Sequence, residues 1–265
     1  MVKMIVSDMD GTLLNSKKQL PGDFTEVYRM MQDAKIRFVV ASGRQYYTLV
    51  DEFDHLKHDI SFIAENGGFI DHDNQKLVVK SLDEMEMKPL VKSLLANEGA
   101  NVVLCGAEGA YIQRGASDEF MTELIKYYAR YSVVDDLLEV KDKILKIAVN
   151  HFDALEQEVY PNLLKNFGDR FQISTSSPIW LDVMATGINK GKAIERLQDD
   201  WDITPEETMV FGDYLNDLEM LQRAKYSYAM ENAHPQIKEV ARFEALSNDD
   251  NGVILAIRQY LSRDN

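Results

Sequence analysis

The chain has 265 residues, 45% of them hydrophobic and 28% charged, which suits one large domain or two modest ones around a sizeable core. Its 44 acidic residues outnumber 29 basic ones, for a formal net charge of −15. With no Lys/Arg-rich run, that balance argues against a nucleic-acid binder held by phosphate contacts.

Cys105 is the single cysteine, so no internal disulfide is possible, and a small buried residue in a reducing compartment is the expectation. No apolar stretch approaches the ~18 residues of a membrane span. The chain opens on a strand-like run and an acidic pair, unlike a signal peptide, so a soluble cytoplasmic protein is expected.

Met4–Ser7, Arg37–Ala41 and Ser61–Ala64 are compact apolar runs of the kind found in buried parallel strands. Between the first two, Asp23–Lys35 repeats Phe24, Val27, Met30, Met31 and Ala34 at helical spacing, with Asp23 as a candidate cap. Strand, helix, strand makes a βαβ unit. The polar stretch around His55 and His58 reads as a helix end or loop, and Asn66–Val79 as a hairpin turning at Asp73-Asn74.

From about residue 83 to 185 the pattern changes. Longer helices, Met85–Asn97 and Asp118–Tyr131, mix with strands near Val102–Leu104, Ile144–Val149 and Phe171–Ser174. The earlier rhythm then returns. Helices are expected at Lys190–Trp201, Asn216–Ala224, His234–Ala241 and Val253–Leu261, and strands at Glu207–Asp213, Tyr226–Met230 and Phe243–Ser247. The expected fold is α/β: a doubly wound parallel sheet, Rossmann-like, formed by residues 1–82 and 186–265 and interrupted by an inserted α+β domain at 83–185.

Ligands of open α/β sheets bind beyond the carboxyl ends of the strands, and those ends carry chemistry here. The first run ends in Asp8 and Asp10, ahead of Gly11 and Thr12. The second ends in Ser42 and Gly43, a later one in Asp213 and Asp217, and Lys190 opens a helix. Residues two apart in an extended segment share a side, so Asp8 and Asp10 can face one pocket. Up to four carboxylates gathered there repel one another, and a hard divalent cation relieves the repulsion, magnesium being the plausible ion.

Phosphoryl transfer needs those parts. Asp8 is expected as the nucleophile that forms an aspartyl-phosphate, and Asp10 as the acid and base for leaving group and water. Asp213 would complete the metal site with Asp8 and the Asp10 carbonyl. Asp217 and Thr12 would support it, and Ser42, Gly43, Lys190 and Asn216 would hold phosphate oxygens.

At these residues the chain resembles the haloacid dehalogenase superfamily. DMDGTLL, ASGR, Lys190 in NKGKA, and GDYLND match its four motifs in order and spacing. The insertion of about a hundred residues between the second and third resembles the type-two cap of the Cof-type subfamily. AENGGFI, AMENAHPQIKEVA and NDDNGV are further echoes. The resemblance implies magnesium-dependent hydrolysis of small phosphate monoesters, often sugar phosphates, with the cap closing over the substrate.

His55, His58, His72, His151 and His234 show no ligand-like spacing, and no nucleotide-binding glycine loop is present. A sugar-phosphate mutase or other phosphotransferase on the same scaffold is the alternative enzyme. A non-catalytic phosphometabolite sensor is the alternative from another class. The expected partner is a small phosphorylated metabolite, with no nucleic acid and no membrane. Oligomeric state is open, monomer and dimer both fitting.

Overall fold

The computed structural model describes residues 1–53, 56 and 59–263; His55 and His58 lie outside the described residues. In chain order the strands and helices begin with β1 (Met4–Ser7), α1 (Phe24–Asp33), β2 (Arg37–Ala41), α2 (Tyr46–Glu52), β3 (Ser61–Ala64), β4 (Phe69–His72) and β5 (Gln75–Val78). There follow α3 (Glu84–Leu95), β6 (Asn101–Gly106), β7 (Ala110–Gln113), α4 (Asp118–Leu124), β8 (Tyr131–Val134), β9 (Ile144–Asn150), α5 (Tyr160–Phe167), β10 (Phe171–Ser177) and β11 (Trp180–Ala185). The chain closes with α6 (Lys190–Trp201), β12 (Thr208–Gly212), α7 (Leu218–Leu221), β13 (Tyr226–Met230), α8 (Pro235–Val240), β14 (Phe243–Ala245) and α9 (Gly252–Arg263).

Two compact units result. Of the described residues, one holds 1–43, 56, 59–75 and 189–263; the other holds 44–53 and 76–188. The fold is the expected mixed α/β arrangement with two sheets.

In the first unit every residue of β1 and β12 is buried, as parallel strands covered on both faces require. Within this unit the sheet order is β14-β13-β12-β1-β2-β3-β4. Pairing is parallel from β14 through β3, and β4 returns antiparallel to β3. From β1 the chain steps outward through β2 and β3 on one side. Later it steps outward from β12 through β13 and β14 on the other, so the direction of winding reverses between β1 and β12.

Helix α1 buries Phe24, Val27, Tyr28 and Met31, and the Phe24 ring packs edge-on against Phe38 of β2 at 5.4 Å. Asp23 takes the N-cap position of α1 as expected, but its carboxylate makes no capping hydrogen bond and pairs instead with the Arg258 guanidinium of α9 at 3.1 Å. Asp73 and Asn74 both take positive φ, the requirement of a tight hairpin turn at the expected place.

The second unit has a six-stranded sheet, β10-β11-β9-β6-β7-β8. Alternate residues serve two cores, as strand geometry dictates. Val102, Leu104, Ile147, Val149, Leu181 and Val183 join α3 and α5 on one face. Val103, Cys105, Ala148 and Trp180 join Phe120 and Leu124 of α4 on the other, and Cys105 is buried there.

The helix expected over Asp118–Tyr131 stops at Leu124, and Tyr131 begins a strand. The Gln45 carboxamide brackets Arg130, donating to its carbonyl at 2.8 Å and accepting its N–H at 3.2 Å. Val133 and Val134 then continue alongside β7 in parallel pairing. Thr48 of α2 likewise donates to the Tyr127 carbonyl at 2.9 Å and accepts from the Ala129 N–H at 3.1 Å. These bonds tie Gln45 and Thr48 to this unit. Among the described residues no helix is long and apolar enough to cross a membrane.

Candidate active site

The reversal between β1 and β12 opens a crevice where loops leave in opposite directions, the usual ligand position in such sheets. Asp8 follows β1 and stays tied to β12, its N–H donating to the Phe211 carbonyl at 3.0 Å. The chain then folds into a tight turn. Leu13 N–H reaches back to the Asp8 carbonyl (3.2 Å) and Leu14 N–H to that of Met9 (2.8 Å), with Met9, Leu13 and Leu14 buried as anchors.

Gly11 sits in that turn at φ +84°, and a Cβ there would lie 2.4 Å from Asp213 Oδ2. Glycine is what lets the turn's backbone approach the carboxylate. Next to it, the Thr12 hydroxyl donates to Asp213 Oδ1 at 2.7 Å.

Asp213 follows β12, and Asp217 lies one 3₁₀ turn further on, just before the short helix α7. Both oxygens of Asp217 are engaged. One accepts the N–H groups of Asp213 (2.9 Å) and Tyr214 (3.2 Å), which fixes the loop; the other accepts from the Lys190 ammonium at 2.7 Å. Lys190 also donates to Asp8 Oδ1 at 2.5 Å.

Lys190 is the first residue of α6, where the helix dipole disfavours a cation, and its side chain is fully buried. A lysine at a helix start is usually solvated; this one is not. The two carboxylates account for both the position and the burial.

Among the described residues, oxygens of Asp8, Asp213 and Asp217 lie within 4.8 Å of one another. Burial, reinforced by the charges of Asp217 and Asp213, pushes Asp8 well above the usual carboxylate range in spite of Lys190. Burial and Asp217 push Asp213 up to about 6, against the Thr12 hydrogen bond. Lys190 moves upward although burial opposes it, because Asp217 and Asp8 stabilise its charge. When all three are ionised, three carboxylates against one ammonium leave two negative charges, which one divalent cation would balance. The all-oxygen donor set suits a hard ion.

Asp10 stands apart from this cluster. Its side chain is about 36% exposed and accepts from the Lys18 ammonium at 2.6 Å. Its charge still reaches Asp213 and contributes to raising it. Strand β1 ends at Ser7, so the two-residue alternation that placed Asp8 and Asp10 on one side does not extend through the turn.

Ser42 and Gly43 follow β2. The Ser42 N–H donates to Ile63 at 2.8 Å, and its carbonyl accepts the Asn66 N–H at 3.0 Å. Asn216, in the loop between Asp213 and Asp217, donates its amide to Asn66 Oδ1 at 3.1 Å.

Three asparagines thus hold the site's loops without being singled out by sequence. Besides Asn66, Asn232 donates to the Gly11 carbonyl at 2.7 Å, and Asn248 donates to the Leu14 carbonyl at 2.8 Å. Their only sequence signal is that they sit in AENGGFI, AMENAHP and NDDNGV.

Comparison with known proteins gives a consistent picture. Residues 5–257 match the family of haloacid dehalogenase-like hydrolases. The 5-amino-6-(5-phospho-D-ribitylamino)uracil phosphatase YbjI of Escherichia coli is 33% identical, the match covering 99% of this chain and 97% of that one. A phosphatase of the same name, YcsE of Bacillus subtilis, is 28% identical, over 98% of this chain and 96% of that one. The crystal structure of SMU.1108c from Streptococcus mutans superposes with a TM-score of 0.88 at 30% identity, covering 99% of this chain and 100% of that one.

Proposed function

Since the chain belongs to the haloacid dehalogenase-like hydrolases, a family whose relatives here are named phosphatases, we propose that it hydrolyses small phosphate monoesters in the cytoplasm, with Mg²⁺ and through an aspartyl-phosphate on Asp8. The observation that carries the reading is the cluster of buried Asp8 and Asp217, both paired with Lys190, and half-buried Asp213 at the winding reversal. Nothing in a purely structural role requires three carboxylates to be held so close.

Asp8 and Asp213, with the backbone of Asp10, would hold the ion. Asp217 is already committed on both oxygens to Lys190 and to the loop, so its role is to brace the ligands. When bound, Mg²⁺ supplies the positive charge that favours ionised Asp8 and offsets the charge of the phosphate.

The chain's own groups then carry the chemistry. An Asp8 carboxylate oxygen attacks phosphorus in line with the ester oxygen, forming one O–P bond as the other breaks. Asp10 gives its proton to the departing alkoxide. Water then attacks the acyl phosphate, and the proton it loses returns to Asp10. Releasing Asp10 from Lys18 for this work is easy, because an exposed ion pair is worth about 1 kcal/mol or less. Lys190 holds Asp8 in place and offers its charge to phosphate oxygens, alongside Ser42, Gly43 and Asn216.

For the substrate we favour a phosphorylated sugar or polyol arm. The phosphorylated ribityl chain in the names of the YbjI and YcsE relatives falls within that class.

The test is phosphate release from a panel of sugar, polyol and nucleoside monophosphates and an aryl phosphate, with Mg²⁺ present. Wild type should release phosphate. Asp8→Asn should lower the rate by about three orders of magnitude or more while keeping the fold. Retained activity in that variant would refute the nucleophile assignment.

A further inference from the structure

The loop after β3 is in an unusual conformation for the residues it contains. Asn66 has φ +54° and Gly67 has φ +101°. Left-handed backbone at a non-glycine residue is uncommon, though asparagine tolerates it best. What the loop gains is a set of contacts to three segments already placed around the site.

The Asn66 N–H donates to the Ser42 carbonyl at 3.0 Å. Its side-chain Oδ1 accepts the Asn216 amide at 3.1 Å. A Cβ on Gly43 would lie 2.9 Å from that same Oδ1, so the Asn66 carboxamide is packed against the bare α-carbon of Gly43. One residue further on, a Cβ on Gly67 would lie 2.4 Å from the Asn189 carbonyl, directly before Lys190. Asn66 itself is only 8% exposed.

We propose that Asn66 is a positioning residue for the phosphate pocket. Its backbone and carboxamide hold the Ser42-Gly43 turn and Asn216 in mutual register, while the adjoining Gly67 seats the start of α6 that carries Lys190. This rests on the assignment of Ser42, Gly43, Asn216 and Lys190 as phosphate-holding groups. Asn66 touches no reacting atom; it acts through the residues that do.

A partly buried amide hydrogen bond that links two loops has a specific signature. Its loss loosens the phosphate groups and leaves the carboxylates around Asp8 and Asp213 where they are, because those are held by Thr12, Asp217 and Lys190 instead.

The experiment uses inorganic phosphate in the presence of Mg²⁺, titrated calorimetrically into wild type, Asn66→Gly, Asn216→Ala and the double variant. Glycine accepts the left-handed backbone, so Asn66→Gly deletes the carboxamide without straining the loop. The expected result is phosphate binding about tenfold weaker in Asn66→Gly, the order that loss of a well-placed hydrogen bond and slight misplacement produce. The midpoint for Mg²⁺, read from thermal shift, should move less than about twofold. The double variant should lose less than the product of the two single losses, since both single variants delete the bond between Asn66 and Asn216.

Unchanged phosphate affinity in Asn66→Gly would overturn the proposal, as would independent, multiplying losses in the double variant. A wild type that binds no phosphate would overturn it too. A wild type that binds phosphate, weakened as expected in Asn66→Gly, but releases none from any ester would leave the positioning role standing and refute the hydrolytic reading alone.

Discussion

Replacing Asp213 by asparagine isolates the electrostatic strain of the carboxylate cluster without requiring a substrate. In the folded chain the Asp213 carboxyl is pushed from 3.8 up to about 6. Between those pH values the native state keeps a proton that the unfolded chain has already lost, so stability falls as pH rises through the window. A shift of about two units is worth about 3 kcal/mol at 1.36 kcal/mol per unit. Asp213 is partly open to water, which screens the effect to an order of 2 kcal/mol.

Asparagine keeps the shape and does not titrate. Urea unfolding of both proteins in chelator, from pH 4 to pH 7, should therefore show wild type losing about 2 kcal/mol relative to Asp213→Asn. Added Mg²⁺ should recover that loss at pH 7 and do much less at pH 4, where the carboxyl is protonated. A stability difference that stays flat, or that moves in favour of wild type as pH rises, would refute the claim that burial and Asp217 oppose ionisation at this position.

Lys190→Ala leaves Asp8 and Asp217 buried without their ammonium and should destabilise the metal-free protein by about 3–5 kcal/mol at pH 7; a loss below about 1 kcal/mol in urea unfolding would mean the lysine compensates nothing. Gly11→Ala pushes a methyl group into close collision with Asp213 Oδ2, at a backbone angle that alanine resists. It should weaken Mg²⁺ binding about tenfold or more, with a global destabilisation of about 1–2 kcal/mol. Unaltered metal affinity by thermal shift would show that the turn does not depend on that close approach.

The core was readable because parallel strands buried on both faces leave continuous apolar runs, and Met4–Ser7, Arg37–Ala41 and Ser61–Ala64 begin and end where expected. The gathering of Asp8, Asp213, Asp217 and Lys190 was readable for a related reason. Each sits just past the end of a core strand or at the start of a helix, and topology brings those ends together.

Other features depend on distant partners. Tyr131 continues a helical pattern locally, yet Gln45, far back in the chain, captures the backbone of Arg130 and turns the segment into strand β8. Asn66, Asn232 and Asn248 look like ordinary loop residues because their bonds reach Asn216, Gly11 and Leu14. The pairing of Asp10 with Lys18 arises from a turn whose path no alternation rule describes.

Phosphate release from a simple aryl ester, followed in one sample as divalent metal is removed by chelator and Mg²⁺ is then returned, bears on the whole scheme at once. Turnover that stops on chelation and comes back with Mg²⁺ is the expected result. An unchanged rate in chelator would show that the carboxylates around Asp8 serve some purpose other than holding a cation for phosphoryl transfer.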